Sequence, residues 1–309
     1  METKINSKAL KAEALRLGFS ACGIAPAGPV DPVHRDFLKE WLDSGRHAGM
    51  AYMANHFDKR CDPALLVEGT RCVVSVALNY YPATRLPEDE YQFAWYAYGM
   101  DYHDLMREKL TALFRFIQES DVPELDGRVF CDTAPVPERY WAWRAGLGWI
   151  GKNTQLIIPR AGSAFFLGEL LLNTEADTYD RPRPNRCGTC NRCLQACPTQ
   201  ALEAPYGLDA RRCLSYLTIE NKGEISASIS PLMGNRVYGC DECQKACPWN
   251  RFATPCRTPE LQPSPEFMNM KKEDWQQLSE EKYRTLFKGS AVKRAKYSGL
   301  IRNIKQMED

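Results

Sequence analysis

Of the thirteen cysteines in this 309-residue sequence, eight lie between residues 187 and 247 at spacings that hold metal. Cys187, Cys190 and Cys193 follow at three-residue steps, and Cys197 comes four residues later, directly before Pro198. In such a run three thiolates hold one iron–sulfur cube and the fourth ligates a second cube. A second run supplies Cys240, Cys243 and Cys247, followed by Pro248, and Cys213 stands between the two. Crossing the last cysteine of each run assigns Cys187, Cys190, Cys193 and Cys247 to one [4Fe-4S] cluster. Cys197, Cys213, Cys240 and Cys243 then surround the other, and no thiol of the set is left over. Structural zinc favours two separated cysteine pairs, and disulfides belong to oxidising compartments.

Two adjacent cubes carry electrons, so the rest of the chain must hold what accepts them: a flavin, a cobalamin or a docked protein. The one Gly-x-Gly-x-x-Gly run, at Gly146, Gly148 and Gly151, follows an expected helix rather than a strand, and there is no Walker loop, so dinucleotide and ATP use have no support. The densest remaining chemistry is the stretch from Cys131 and Asp132 through Thr133, Ala134 and Pro135 to Glu138 and Arg139. It is followed by Gly146, Gly148, Gly151, Lys152 and Asn153. An acid at a strand end either points into a cleft or forms a turn. The glycines either admit something large and flat against the backbone or simply make turns.

The elements that would position these groups are readable from periodicity. Ser7 is placed as the cap of a first helix with Leu10, Ala14 and Leu17 on one face, ended by Gly18. Strands are expected at 19–24, 72–78, 128–131, 155–158 and 165–172. Helices are expected around Phe37, Leu38, Trp41 and Leu42, at 101–120 and at 138–145. Pro182 and Pro184 mark 177–186 as a linker. This divides the chain into 1–176, a 177–260 cluster module and a basic helical segment at 261–309. The last carries Lys282, Arg284, Lys288, Lys293, Arg294, Lys296, Arg302 and Lys305, either a solvated face or a phosphate-contacting surface. A formal net charge of +1 implies no polyanionic partner by itself, and 44% hydrophobic with 26% charged residues is ordinary for a soluble protein. Cys22, Cys61, Cys72, Cys131 and Cys256 read as small buried hydrophobes. No secretory signal and no membrane-length apolar run is present, which leads to a cytoplasmic expectation.

Taken together, the motifs resemble the epoxyqueuosine reductase family, cobalamin-dependent enzymes of queuosine tRNA modification. The matching stretches are 98–103, 132–139, 145–154, 161–169, 213–220 and the eight cysteines. The resemblance implies an α+β fold, with a nitroreductase-like cobalamin-binding domain fused to a ferredoxin-like two-cluster module and a short helical C-terminal tail. It implies reduction of the epoxide of epoxyqueuosine at the wobble position of tRNA. Asp132 matches the family's proton donor, a role that asks for a pKa raised toward neutrality by burial.

Cobalamin is expected without a protein imidazole below cobalt. Asp101 and His103 do not complete the imidazole-ligating motif of other cobalamin proteins, because Met106 stands where its glycine belongs. His103 is placed near substrate or as a structural histidine. Lys152, Asn153, Ser163, Ser215, Asp241 and Glu242 are the implied cobalamin contacts, each with an alternative as a turn or cap residue. Met100 and Pro137 depart from the family pattern, and a C-terminal repeat that grips tRNA in longer members is not expected. The implied partners are a tRNA anticodon stem-loop and an external low-potential electron donor, and the implied state is monomeric. The alternatives are a reductive dehalogenase-like enzyme, against which no twin-arginine signal is found, and an electron-transfer protein without its own catalytic site.

Overall fold

The computed structural model describes residues 4–307. Residues 1–3 and 308–309, where the charged N-terminal run begins and the expected tail ends, lie outside the described residues.

Cys72–Asn79 and Phe165–Leu172 are apolar or β-branched at nearly every position, the composition of strands covered on both faces. They pair at the centre of a four-stranded antiparallel sheet ordered Ala21–Pro26, Cys72–Asn79, Phe165–Leu172, Gly127–Phe130. The two-residue pleat sends alternate side chains to opposite faces. Val74, Val76, Leu78, Leu170 and Leu172 pack against Leu10 and Ala14 of the helix Ser7–Arg16 and against Met106, Leu110 and Leu113 of Tyr102–Ser120. Val73, Ala77, Leu167 and Leu171 face Tyr140, Trp141 and Ala142 of the short helix Glu138–Arg144. Ser75 and Glu169, paired across the sheet, fall on that second face by the same alternation.

Asn6, one residue earlier than expected, caps the first helix by accepting the Ala9 N–H. The helix Pro32–Asp43 buries none of its residues, and Phe37 is 49% exposed, so its apolar positions do not serve the core. Cys22 is only half-buried, unlike the four other cysteines outside the runs. The expected linker is irregular but anchored: Asp180 accepts the Ile24 N–H and pairs with Lys11, and Asp177 accepts the Ser7 N–H.

The C-terminal segment builds a second core rather than trailing from the first. Phe267, Trp275, Phe287, Leu300 and Ile304 pack with Phe93, Tyr98, Val237 and Tyr238. Arg236–Tyr238 of the cluster module pairs in parallel with Gln92–Phe93 of the first domain at the same place. Packing therefore runs across both expected boundaries, and Cys256 and Leu261 join the main sheet's core.

Candidate active site

The helix Tyr102–Ser120 begins at the site because Asp101 caps it, its Oδ1 accepting the His103 backbone N–H at 3.2 Å. The same oxygen lies 2.5 Å from His103 Nδ1, and His103 Nε2 lies 3.0 Å from Asp132 Oδ2. One imidazole thus bridges two carboxylates. Tyr102 supports it from behind, with ring centroids 4.2 Å from His103 and 4.1 Å from Phe166. Asp132 follows the strand Gly127–Phe130 at φ +58°, a left-handed conformation that is unfavourable for a residue with a Cβ. Its backbone N–H is held at 2.5 Å by Glu138 Oε1, from the first turn of Glu138–Arg144.

The electrostatics reverse one expectation. Hydrogen bonds to Asp101 and then Asp132 raise the His103 imidazolium to about 9. The His103 hydrogen bond, in turn, holds Asp132 below the usual carboxylate range instead of raising it toward neutrality. The Asp132 side chain is 57% exposed, and a favourable cation outweighs its partial desolvation. At neutral pH the proton therefore rests on His103. Burial pushes Glu138, behind Asp132, up to about 7. Glu169 lies fully buried, and burial raises it well above its ordinary value. Ser75 is near enough to act on Glu169, yet neither side chain reaches a partner at hydrogen-bonding geometry.

The eight cysteines fall in two neighbourhoods. Cys187, Cys190, Cys193 and Cys247 line one cavity of about 100 Å³ with Lys152, Asn153 and Trp249. Cys243 shares its surroundings with Cys240, Cys213 and Cys197. Among the described residues no three His, Cys, Asp or Glu side chains converge on a single-ion site. Backbone N–H groups of Ser215 and Tyr216 point at the Cys213 sulfur, and that of Trp249 at Cys247. Such hydrogen bonds tune cluster potentials.

The remaining expected contacts fall at the seam between sheet domain and cluster module, and most are committed there. Lys152 Nζ donates to the carbonyls of Gly188 and Cys190, both at 2.8 Å. Asn153 donates to Cys243 O at 3.3 Å, and Ser163 bonds Gln244 and Asn250. Asp241, pushed up to about 6 by burial, accepts the Trp95 N–H at 2.7 Å. Glu242 pairs with Arg236 and Lys245. The glycine run is likewise internal. A Cβ at Gly148 would meet Ile157 O at 2.1 Å, and Gly146, at φ +73°, abuts Arg181 O. The flat thing these glycines admit is the chain's own backbone.

These residues fit cobalamin, which would supply a strongly reducing centre beside Asp132. His103, the imidazole at the site, has both ring nitrogens engaged by carboxylates. The exposed Asp132 carboxylate leaves an open polar floor. An aromatic path, Tyr80 on Phe166 at 4.7 Å and Phe166 on Tyr102, joins that floor to the second thiol group, with Tyr80 Oη 3.4 Å from Gln244 beside Cys243.

Sequence reading gave no role to Glu138, Glu169, Gln244, Asn250 or Asp101. Glu169 did carry a signal, an acid alone within the apolar strand Phe165–Leu172. Asp101 carried another, a helix-capping residue two before a histidine.

An α+β domain with a carboxylate–imidazole–carboxylate site, joined to eight thiols in two sets of four, defines an iron–sulfur oxidoreductase. The profile of the 4Fe-4S double cluster binding domain matches residues 186–250, and that of Epoxyqueuosine reductase QueG matches 60–133. The epoxyqueuosine reductase of Cellulophaga algicola is 44% identical over 299 residues, 97% of each chain. A crystal structure of an epoxyqueuosine reductase with an epoxyqueuosine-modified tRNA-Tyr stem loop superposes with a TM-score of 0.89 at 31% identity, covering 97% of this chain and 80% of that one. The Bacillus subtilis enzyme, with its catalytic aspartate loop swung out of the active site, gives 0.88 at 29%, with the same coverage. The chain belongs to the epoxyqueuosine reductase family, whose reductases use cobalamin and two [4Fe-4S] clusters. A catabolic reductive dehalogenase aligns at 17% identity and a TM-score of 0.52, a likeness of fold alone. Among the described residues no helix is long and apolar enough to cross a membrane.

Proposed function

We propose that this protein reduces the epoxide of epoxyqueuosine at the wobble position of tRNA to the alkene of queuosine. The observation that carries this reading is the His103 imidazole shared between Asp101 and the exposed Asp132. The reaction takes up two electrons and two protons, breaks the two C–O bonds, forms the C=C bond and releases water. Bound cobalamin would supply the strongly reducing centre that attacks the epoxide, with electrons delivered singly through the clusters.

The chain's own part is to hold and move the proton. His103 stores it at Nε2, Asp132 takes it across the 3.0 Å contact, and Asp132 delivers it to the departing oxygen. An alkoxide is far more basic than either group, so the transfer runs downhill. Asp101 keeps the ring oriented and charged throughout.

In this reading the cysteine sets Cys187, Cys190, Cys193, Cys247 and Cys197, Cys213, Cys240, Cys243 each hold one cube. Ser215 and Glu242, between the second set's ligands, would meet the corrin edge. Lys152, Asn153, Ser163 and Asp241 would act one step back, fixing the cluster loops against the sheet. Lys293 acts electrostatically on Asp101, and Arg294, paired with Glu220 at 2.8 Å, on Asp132. Basic side chains of the C-terminal segment thus border the site, where the phosphates of an anticodon loop would lie. An external low-potential donor, a monomeric state and a cytoplasmic location complete the proposal.

The test is anaerobic turnover with cobalamin, a low-potential reductant and an epoxyqueuosine-bearing stem-loop, read as nucleosides by mass spectrometry. Queuosine formed only when cobalamin is present supports the reading. Its absence from protein with both clusters and bound corrin would overturn it.

A further inference from the structure

The loop that carries Asp132 has little of its own to hold it. Thr133 N–H bonds Cys131 O, Val136 N–H bonds Ala134 O and Glu138 N–H bonds Val136 O, a chain of tight two-residue turns with no regular ladder. Asp132 itself sits in the left-handed region, where an aspartate needs outside support. Its side chain meets His103, and its backbone is held by one contact, the N–H reaching Glu138 Oε1. Glu138 is well placed to give it, because it opens a helix packed onto the sheet through Tyr140, Trp141 and Ala142, all buried.

Beneath this contact lies a feature with no structural explanation of its own. Glu169 is 0% exposed in the middle of the central strand, with no hydrogen-bond partner at either carboxylate oxygen. The pleat turns it to the face covered by Glu138–Arg144, and it acts electrostatically on Glu138. An unpaired buried acid is expensive and favours its neutral form.

We propose that Glu138 is a latch for the catalytic loop: its carboxyl group, set over the buried Glu169, holds the Asp132 backbone so that the Asp132 side chain meets His103. Glu138 is a positioning residue, and its role rests on Asp132 being the group that serves the substrate. An ionised acceptor makes roughly twice as strong a hydrogen bond as a neutral one, but burial and the adjacent Asp132 charge outweigh that gain and lift Glu138 above its ordinary 4.5. The groups facing it are Asp132 and Cys131 on the loop, Arg139 on its own helix, Tyr102 and His103 on the long helix, and Glu169 on the sheet. The Asp132 N–H and the positive charges of Arg139 and His103 favour the carboxylate. Burial and the negative charge of Asp132 oppose it, which brings the switch to about pH 7. The closed loop therefore holds Glu138 above its ordinary 4.5, so closure is strongest with Glu138 protonated and weakens as pH rises through about 7.

The test is hydrogen exchange of the 131–137 segment, read by mass spectrometry on protein carrying both clusters. A single titrating group changes the opening equilibrium by up to about tenfold per pH unit below its pKa. After correction for intrinsic rates, the wild-type segment is expected to exchange several-fold faster at pH 8 than at pH 6. Glu138→Gln keeps an acceptor oxygen and abolishes the titration. Its corrected exchange should be flat across that range and its turnover within a few-fold of wild type at pH 8. Glu138→Ala should exchange fast at every pH and lose at least tenfold in turnover, with iron content retained. The same pH dependence in Glu138→Gln as in wild type would overturn the latch, and that result does not depend on turnover. Loss of turnover in Asp132→Asn with exchange unchanged leaves the latch standing, whereas full turnover in Asp132→Asn removes Asp132 from the mechanism whatever the exchange shows.

Discussion

His103 and Asp132 divide what the sequence suggested a single residue would do. Asp132 is exposed and low in pKa, so it is a conduit for a proton; His103, between two carboxylates, is the store. Asp132→Asn should keep both clusters and lower turnover by about a hundredfold or more, the usual worth of a positioned acid; single-turnover rates with iron analysis check this. The sign of the pH effect on stability follows from the raised His103 value. Its ion pairs contribute fully below its ordinary 6.5 and are lost as pH rises through about 9. Wild-type protein should therefore lose a stability increment over that interval, visible in thermal melts, that His103→Gln never possesses. Asp132 was visible in the sequence as an acid at a strand end, but its ionisation state was not. That state depends on a histidine 29 residues earlier, brought 3.0 Å away by a helix cap.

The elements that do the positioning were largely readable. Phe165–Leu172 falls where its apolar run predicted, and the helix Tyr102–Ser120 presents Met106, Leu110, Leu113 and Ile117 as its buried face. The cysteine spacing was readable too, and it carries the crossed assignment that iron analysis tests. Cys213 stands immediately before the helix Leu214–Ile219, whose first N–H groups point at its sulfur. Cys213→Ala should lower iron content toward half, measured against protein concentration, and undiminished iron would break the assignment. Local pattern found the helix Pro32–Asp43 but not that it buries none of its residues, and it left the role of the glycine run open. Which surface meets a glycine, or leaves Phe37 uncovered, is decided by distant chain, as the contact of Gly148 with Ile157 O shows.

At the scale of the molecule, the basic C-terminal segment proved the least legible. Its charges suggested a solvated face or a phosphate-contacting surface but not the core beneath, where Trp275, 0% exposed, packs 4.9 Å from Phe93 and 5.9 Å from Phe267. Trp275→Ala should lower stability by about 3–5 kcal/mol, measured by denaturant unfolding of cluster-loaded protein. Because that core ties 265–305 to 92–98 and 236–238, Lys293 and Arg294 are carried to the mouth of the site. Lys293→Ala should weaken stem-loop binding and reduce the salt dependence of log K by about 0.7–0.9. In the proposed reaction the epoxide-reducing site draws its proton from His103 through Asp132. The most direct measurement is the pH profile of single-turnover reduction of an epoxyqueuosine stem-loop by cobalamin-loaded protein. Queuosine should form, at a rate that falls as pH rises through about 9, the point at which His103 gives up its proton. No queuosine, or a rate unchanged through that range, would contradict it.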